Sequence, residues 1–477
     1  MKKLIYFVIL VLVSLSFIVY FSTTSNKNKP ENIILITIDT LRADHMGCYN
    51  YPWNTTPFMD SLAEKGVVFE NAISQSATTC PSITSIFTGL YPSEHKIQAN
   101  GFILDDSFLT LAEILKSRGY FTAAFTSTDR HFLASNLDQG FDKYEEPEDT
   151  KKKYDFSYRP GEYTIEKAME WLKKFDRKKK LFLWIHLFDP HQPYLVSKRE
   201  VDEYLPKKEK SEFRKYLKEY NIRAKCDFYR KFKHLERQII RYDTELRSND
   251  NHVREFFEFA DKLGINKNSL WIISGDHGEG LGQHNWSEHA MKIYQEEIHV
   301  PLIFYSPGKK WNFRYPGTVE NFNIFSTLVD LTGDLKEKYG QFKISSKSLK
   351  NILESEGKIK LDQFAFSERQ SLGYWGDGER KLQRYKIFYS EGEKYAIQNG
   401  EYKYIMRTKA EDELFNLKND PYELNNLISS EEERSKNIKL KKRLLLLISR
   451  IKRESGLSKK LVNEKTIERL KSLGYVF

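Results

Sequence analysis

The chain has 477 residues, of which 40% are hydrophobic, 14% aromatic and 30% charged, a composition that excludes a disordered polymer and leaves ample material for a large core. Three cysteines, Cys48, Cys80 and Cys226, exclude a disulfide scaffold and are too sparse for a cysteine-rich zinc site. Seventy-six Lys and Arg against 66 Asp and Glu give a formal charge of +10, which suits nucleic acid, acidic headgroups or sulfated and phosphorylated glycans without choosing among them.

The chain opens with two lysines and an apolar run over residues 4–21, broken only by Ser14 and Ser16. Its length lies between a signal-peptide core and a short spanning helix. No Ala-x-Ala cleavage site and no lipidation cysteine follow, so residues 1–25 are read as an uncleaved membrane anchor, with a cleaved signal peptide as the alternative. The leading lysines then leave everything from about Asn26 onward outside the cytoplasm, or periplasmic or secreted if the segment is cleaved. Export removes nucleic acid as a partner.

Beyond this segment, residues 32–38, 121–125, 181–187, 270–273 and 300–305 are short apolar runs without alternation, the pattern of parallel strands buried on both faces. Helix patterns lie between them, one opened by Thr56-Pro57 and closed by Gly66, another over 108–118 ended by Gly119. Strands alternating with helices predict an α/β fold with a mostly parallel sheet covered on both faces over residues 31–332. A Lys/Arg/Glu/Tyr-rich stretch at 198–240 interrupts the rhythm as a basic helical surface insertion. From 333 to 477 the apolar runs shorten and aromatics alternate with polar residues at 385–389 and 402–405, which predicts a small antiparallel sheet in a C-terminal α+β subdomain, followed by a charged helix.

Three segments carry chemistry. The first strand runs into Asp39, a carboxylate at the carboxyl edge of a sheet, where a cation best offsets its burial. In Thr78-Thr79-Cys80-Pro81-Ser82, Pro81 suits a first helical turn and puts the Thr79 hydroxyl at a helix N-terminus, a ready anion site. The strand over 270–273 runs into Asp276-His277. Singly, these are a helix cap, an N-cap and a tight turn. Together, a carboxylate, a hydroxyl and a carboxylate–imidazole pair form a mixed O/N site for one divalent cation, Asp39, Thr79, Asp276 and His277.

The ordered motifs Asp39-Thr40, Pro81-Ser82, Thr88-Gly89-Leu90-Tyr91-Pro92, His186, Asp189-Pro190-His191-Gln192-Pro193-Tyr194, Asp276-His277-Gly278-Glu279 and His299-Val300-Pro301-Leu302 resemble the sulfatase family of the alkaline phosphatase superfamily. So do Glu413-Leu414-Phe415-Asn416-Leu417 and the closing Leu473-Gly474-Tyr475. The resemblance implies an alkaline phosphatase-like α/β/α sandwich and a metal-dependent hydrolase of sulfate or phosphate esters. Family sulfatases convert a Cys or Ser two residues before the proline to formylglycine; here that position is Thr79, Cys80 falls on the variable position, and Ile83 replaces the expected Arg. Formylglycine is therefore not expected. Thr40 stands where many members have a second Asp ligand and His277 where many have Asn, and the sulfate-clamping Lys and His are missing after Gly119-Tyr120. A threonine resembles instead the nucleophile of phosphodiesterases and of phosphoglycerol or phosphoethanolamine transferases.

A Thr hydroxyl needs a metal to lower its pKa before it can attack an ester. An imidazole ligand favours Mn²⁺, Zn²⁺ or Fe²⁺ over Ca²⁺ or Mg²⁺. His191 is expected to donate to a phosphoryl or sulfuryl oxygen or to protonate the leaving group, with His284 and His289 as further substrate contacts. Glu279 is expected to orient an imidazole from behind, and His186 to be a core group near the site. The expected substrate is a sulfated or phosphorylated glycan, lipid or small-molecule ester outside the cytoplasm. Two other readings stand beside hydrolysis: a phosphotransferase modifying surface glycans or lipids, and an inactive family member that binds anionic glycans.

Overall fold

The computed structural model describes residues 29–128, 132–154, 158–223, 235–333, 342–361, 363–369 and 392–454. The apolar run at 4–21, on which the anchor reading rests, lies outside the described residues, as do Cys226 and the aromatic stretch at 385–389. Among the described residues no helix is long and apolar enough to cross a membrane.

Nine strands form the main sheet: β1 (Asn32–Ile38), β2 (Val67–Ile73), β3 (Tyr120–Thr126), β4 (Lys143–Glu145), β5 (Lys180–Leu187), β6 (Ser269–Gly275), β7 (His299–Val300), β8 (Leu302–Tyr305) and β9 (Phe313–Glu320). Their order is β4-β3-β5-β1-β6-β8-β2-β7, with β9 paired to β2. The five strands from β4 to β6 are parallel. The run at 300–305, expected as a parallel strand, is split at Pro301, and both halves pair antiparallel, β7 with β2 and β8 with β6 and β2. Proline has no N–H for the ladder, so one apolar run yields two short strands.

Three strands escape the apolar-run reading. In β2, Glu70-Asn71 interrupts the pattern where that part of the strand is only half-buried. β9 carries Pro316-Gly317, which the sheet accommodates as an irregularity opposite Phe69 to Asn71. β4 is three residues long and only half-buried.

The sheet packs between two cores. Even positions of β1 (Ile34, Ile36, Ile38) join one cluster with Leu183, Ile185, Trp271 and Ile273 under helices α1 (Pro57–Ala63), α4 (Gly161–Lys174) and α5 (Leu235–Lys262). Odd positions (Ile33, Leu35) join the other with Phe182, Trp184, Leu270 and Ile272 under α2 (Thr79–Thr88), α3 (Leu111–Ser117) and α6 (Asn323–Thr332). Burial on both faces is why these strands show no alternation, and each fully buried Ile, Leu or Phe contributes about 1.5–3 kcal/mol. α3 starts three residues later than its apolar pattern suggests, because Thr110 and Glu113 form a capping box that fixes its first turn.

The 198–240 stretch is helical at Lys198–Tyr204 and Lys210–Arg223, and residues 235–240 begin the long core helix α5. It is more than a solvated face: Leu205, Phe213 and Leu217 are buried in the α5 core, with Phe213 edge-on to Trp53 at 4.8 Å.

A second sheet, antiparallel in the order β10 (Ala365–Arg369), β11 (Lys394–Gln398), β12 (Tyr402–Arg407) and β13 (Glu413–Asn416), lies in the C-terminal part and is covered by α7 (Arg434–Glu454). Its edge strand reaches the main body: Glu368 N–H donates to Gln75 O at 2.9 Å and Ser367 Oγ donates to Ser74 O at 2.5 Å.

Candidate active site

Register places the site. Ile38 of β1 lies level with Leu187 of β5 and Gly275 of β6, so Asp39, the turn after β5 and Asp276 leave the sheet at one carboxyl edge. β2 leads over the same edge into Ser74 and the start of α2. Asp39, Thr79, Asp276 and His277 are all fully buried.

The two carboxylates are each held by one oxygen. Asp276 Oδ1 accepts from Thr40 N–H at 3.2 Å and from His277 N–H at 2.7 Å, which leaves Oδ2 without a partner. Asp39 Oδ2 accepts from the Thr79 hydroxyl at a long 3.4 Å, and Oδ1 has no partner. Both orphaned oxygens lie 3.6 Å from His277 Nε2. His277 Nδ1 donates to Gly278 O at 2.8 Å, so Nε2 presents its lone pair to the carboxylates and to Thr79 Oγ1, 3.3 Å away. Ligand atoms of Asp39, Asp276 and His277 lie within 4.8 Å of one another.

The electrostatics point the same way. Burial, with Glu279 adding to it, pushes Asp39 well above the usual carboxylate range. Burial and Asp39 raise Asp276 to about 6, and burial lowers His277 to about 4, keeping the imidazole neutral. Two orphaned carboxylate oxygens and an aligned neutral nitrogen, all inaccessible to water, are what a divalent cation would satisfy, so the donor set fits one metal ion.

Backbone strain contributes to the placement. Thr40 has φ +54°, a left-handed conformation unusual for a β-branched residue, and this turn aims its N–H at Asp276. On the other side, Ser82 Oγ in the first turn of α2 donates to Asp276 O at 2.6 Å and ties the helix to the strand end. Cys80, one residue past Thr79, faces away. Its side chain is fully buried in the hydrophobic core, 3.5 Å from Ser135 Oγ, and burial pushes its thiol far up.

Three imidazoles extend from this cluster. The His289 ring lies 4.6 Å from that of His277 and 4.9 Å from that of His191, which stacks on Phe188 at 4.4 Å. Glu279 accepts from His289 Nδ1 at 3.3 Å, so it braces His289 rather than the His277 imidazole. His186 is a buried neighbour of the site: its Nδ1 accepts from Thr37 Oγ1 at 2.8 Å, Thr37 in turn accepts from Trp184 Nε1 at 2.9 Å, and its Nε2 faces Asp39 Oδ2 at 3.8 Å.

His284 does not join them. Nδ1 pairs with Glu296 at 2.7 Å, Nε2 donates to Glu423 O at 3.0 Å, and the ring stacks 3.7 Å from Tyr294, so its expected contact with substrate is replaced by a bracing role.

Two residues near the site carry no sequence signal of their own. Asn100 accepts from Cys80 N–H at 2.9 Å, capping α2 from a distant loop, while its buried amide nitrogen has no partner. Arg42 is buried, forked onto Asp44 at 2.8 and 2.7 Å and bonded to Glu279 O at 2.8 Å.

A mostly parallel α/β sheet with carboxylates, a hydroxyl and imidazoles at its carboxyl edge defines an ester hydrolase of the alkaline phosphatase-like class. The sulfatase family model matches residues 31–334, and the chain belongs to the sulfatase family. It is 24% identical to an ulvan-active sulfatase of Formosa agariphila, over 86% of this chain and 80% of that protein. It is 22% identical to an N-acetylglucosamine-6-O-sulfatase of Bacteroides thetaiotaomicron, over 87% of this chain and 85% of that one. The phosphonate monoester hydrolase of Agrobacterium radiobacter shares the fold at a TM-score of 0.68 and 18% identity, covering 89% of this chain and 96% of its own. The protein is thus an enzyme that hydrolyses sulfate- or phosphate-type esters.

Proposed function

We propose that Thr79 is the nucleophile and that Asp39, Asp276 and His277, with Thr79 itself, hold one divalent cation. The observation that carries this reading is the Thr79 hydroxyl, 3.4 Å from Asp39 Oδ2 and 3.3 Å from His277 Nε2 and backed by two partnerless carboxylate oxygens. A bound cation supplies the positive charge that makes a threonine hydroxyl acidic enough to attack and that offsets charge on the departing oxyanion. The imidazole ligand favours Mn²⁺, Zn²⁺ or Fe²⁺.

Thr79 Oγ1 gives its proton towards Asp39 Oδ2 and bonds to phosphorus or sulfur in line with the departing alcohol. His289 stands beside His277 and His191 beside His289; each gives its Nδ1–H to an oxygen of the fold, Glu279 and Gln192 O, so either donates to the leaving oxygen from Nε2 only as an imidazolium. The Asn100 amide, oriented by its bond from Cys80 N–H, is a donor for a non-bridging oxygen of the anion. Water then cleaves the Thr79 ester and restores the enzyme.

The substrate we infer is a sulfated or phosphorylated sugar ester outside the cytoplasm. The ulvan-active and N-acetylglucosamine-6-O-sulfatase relatives support the sulfated-glycan class, and the threonine supports phosphodiesters. The apolar run at 4–21 supports export and a membrane anchor.

The test is turnover of aryl sulfate, phosphomonoester, phosphodiester and phosphonate substrates with Mn²⁺, Zn²⁺, Mg²⁺ and Ca²⁺ compared. Thr79→Ala should abolish turnover on every substrate, whereas Cys80→Ala should keep most of it. The opposite pattern would overturn the assignment of the nucleophile. A wild-type protein without stoichiometric metal and without turnover would favour the glycan-binding reading.

A further inference from the structure

Helix α7 presents two apolar faces, and only one is covered. Leu440, Leu444, Ile448 and Ile451 repeat at helical spacing and are buried on the C-terminal sheet with Tyr395, Ile397, Tyr402 and Tyr404. On the opposite side Ile438, Leu445 and Leu446 are 59%, 44% and 62% exposed, half of the large exposed hydrophobic side chains among the described residues. Together with Lys441, Lys442 and Ser449 they line a shallow groove.

The helix is strongly basic, although Arg434 and Lys436 pair with Glu431 and Glu433 at 3.7 and 3.5 Å. Between Arg434 and Arg450 the exposed side chains include Arg434, Lys436, Lys439, Lys441, Lys442 and Arg443, and residues 434–453 contain no carboxylate. Lys441 pairs with Asp412 at 2.9 Å and Arg443 lies over the Phe364 ring at 3.9 Å. Among the described residues Lys439 and Lys442 have no carboxylate partner, and Lys442 stands one turn from Ile438, Leu445 and Leu446 in the groove itself. Long aliphatic residues ringed by lysines on an exposed helix face have the composition of a segment that lies in a lipid interface, its aliphatic side chains among the acyl chains and its ammonium groups at headgroup phosphates.

We propose that the outer face of α7 docks on an anionic lipid bilayer, with Ile438, Leu445 and Leu446 inserted and Lys439 and Lys442 at the headgroups. The choice of a bilayer rests on charge complementarity and on the apolar stripe, which a purely electrostatic contact with an anionic polymer would leave in water. The inference is independent of the catalytic reading. It places a membrane contact on residues 438–446, remote in sequence from the apolar run at 4–21.

The test uses the full-length protein reconstituted in vesicles of phosphatidylcholine alone or mixed with phosphatidylglycerol, each with acyl-chain-brominated lipid. Leu445→Trp adds one fluorophore to the seven native tryptophans, whose signal in the parent protein is the baseline. The added emission should be quenched in the anionic vesicles and not in the zwitterionic ones. Adding Lys439→Gln and Lys442→Gln should lower the docked-to-undocked ratio by roughly tenfold or more, since each surface cation contributes about one decade or slightly less. Turnover of a soluble aryl ester should stay at the parent level in all these variants, which shows that they fold. Equal quenching in both vesicles, or none in either, would overturn the proposal. So would a change in oligomeric mass on Leu446→Glu, which would make the face a contact between copies, or heparin binding by Lys439 and Lys442 without quenching, which would make it a polymer site.

Discussion

Thr79 and Cys80 are adjacent in the chain yet sit in opposite environments, one hydroxyl facing the Asp39 carboxylate and the His277 imidazole, one thiol sealed in the core. Cys80→Ala removes a buried side chain and should cost about 1–2 kcal/mol of stability, read as a lower denaturant midpoint, while the rate per folded molecule stays near the parent value. Asn100→Ala should have two separable effects: loss of the α2 cap, worth about 1 kcal/mol, and a rise in KM for the anionic ester as its partnerless amide is lost. An unchanged KM would confine Asn100 to capping. Asp39 and Asp276 face each other with one uncompensated oxygen each, so a cation that binds only the folded state should raise the thermal midpoint. Chelation should lower it, and Asp276→Asn should abolish that response.

At the scale of elements, Glu320 at the end of β9 is a buried carboxyl that accepts from Tyr91 OH and Phe366 N–H, both at 3.0 Å. Burial raises its pKa to about 7. The folded value lies above the unfolded one, so the native state holds the proton more tightly and stability falls as pH rises from about 4.5 to 7. The cost above neutrality is on the order of 3 kcal/mol, and Glu320→Gln should flatten the pH dependence of the thermal midpoint over that interval. Leu444→Ala, beneath α7, should cost about 2–5 kcal/mol through the cavity it leaves.

These elements also show where sequence reading reaches its limit. β1, β5 and β6 are legible because burial on both faces leaves uninterrupted apolar runs, and the residues that leave their ends in register, Asp39 and Asp276-His277, are therefore legible with them. β2 and β9 are hidden because Glu70-Asn71 and Pro316-Gly317 are acceptable only to a sheet that bulges there, which local pattern does not reveal. Asn100 and the pairing of Glu279 with His289 are hidden for another reason: both depend on loops meeting across the fold. His284 looks identical in sequence to a site histidine, and only its use of both nitrogens against Glu296 and Glu423 removes it.

Across the whole molecule, the C-terminal part braces the carboxyl edge of the main sheet from two directions. β10 bonds to Ser74 and Gln75, in the loop that delivers Thr79, and Glu423 reaches the loop that delivers His289, accepting from Gln295 N–H at 2.6 Å and, through its carbonyl, from His284. Glu423 is itself paired with Lys403 at 2.7 Å, both wholly buried. Glu423→Gln leaves the Lys403 ammonium without its counter-charge in the interior and should cost about 3–5 kcal/mol, with a parallel fall in kcat as the His289 loop loosens. A stable but slow variant would separate the brace from the fold. Because these two contacts of β10 lie only a few residues ahead of Thr79, the loop that carries Thr79 and the C-terminal sheet share one cooperative fate. Heat should therefore switch the enzyme off in the same step in which it melts, and inactivation and near-ultraviolet dichroism curves recorded side by side should superimpose.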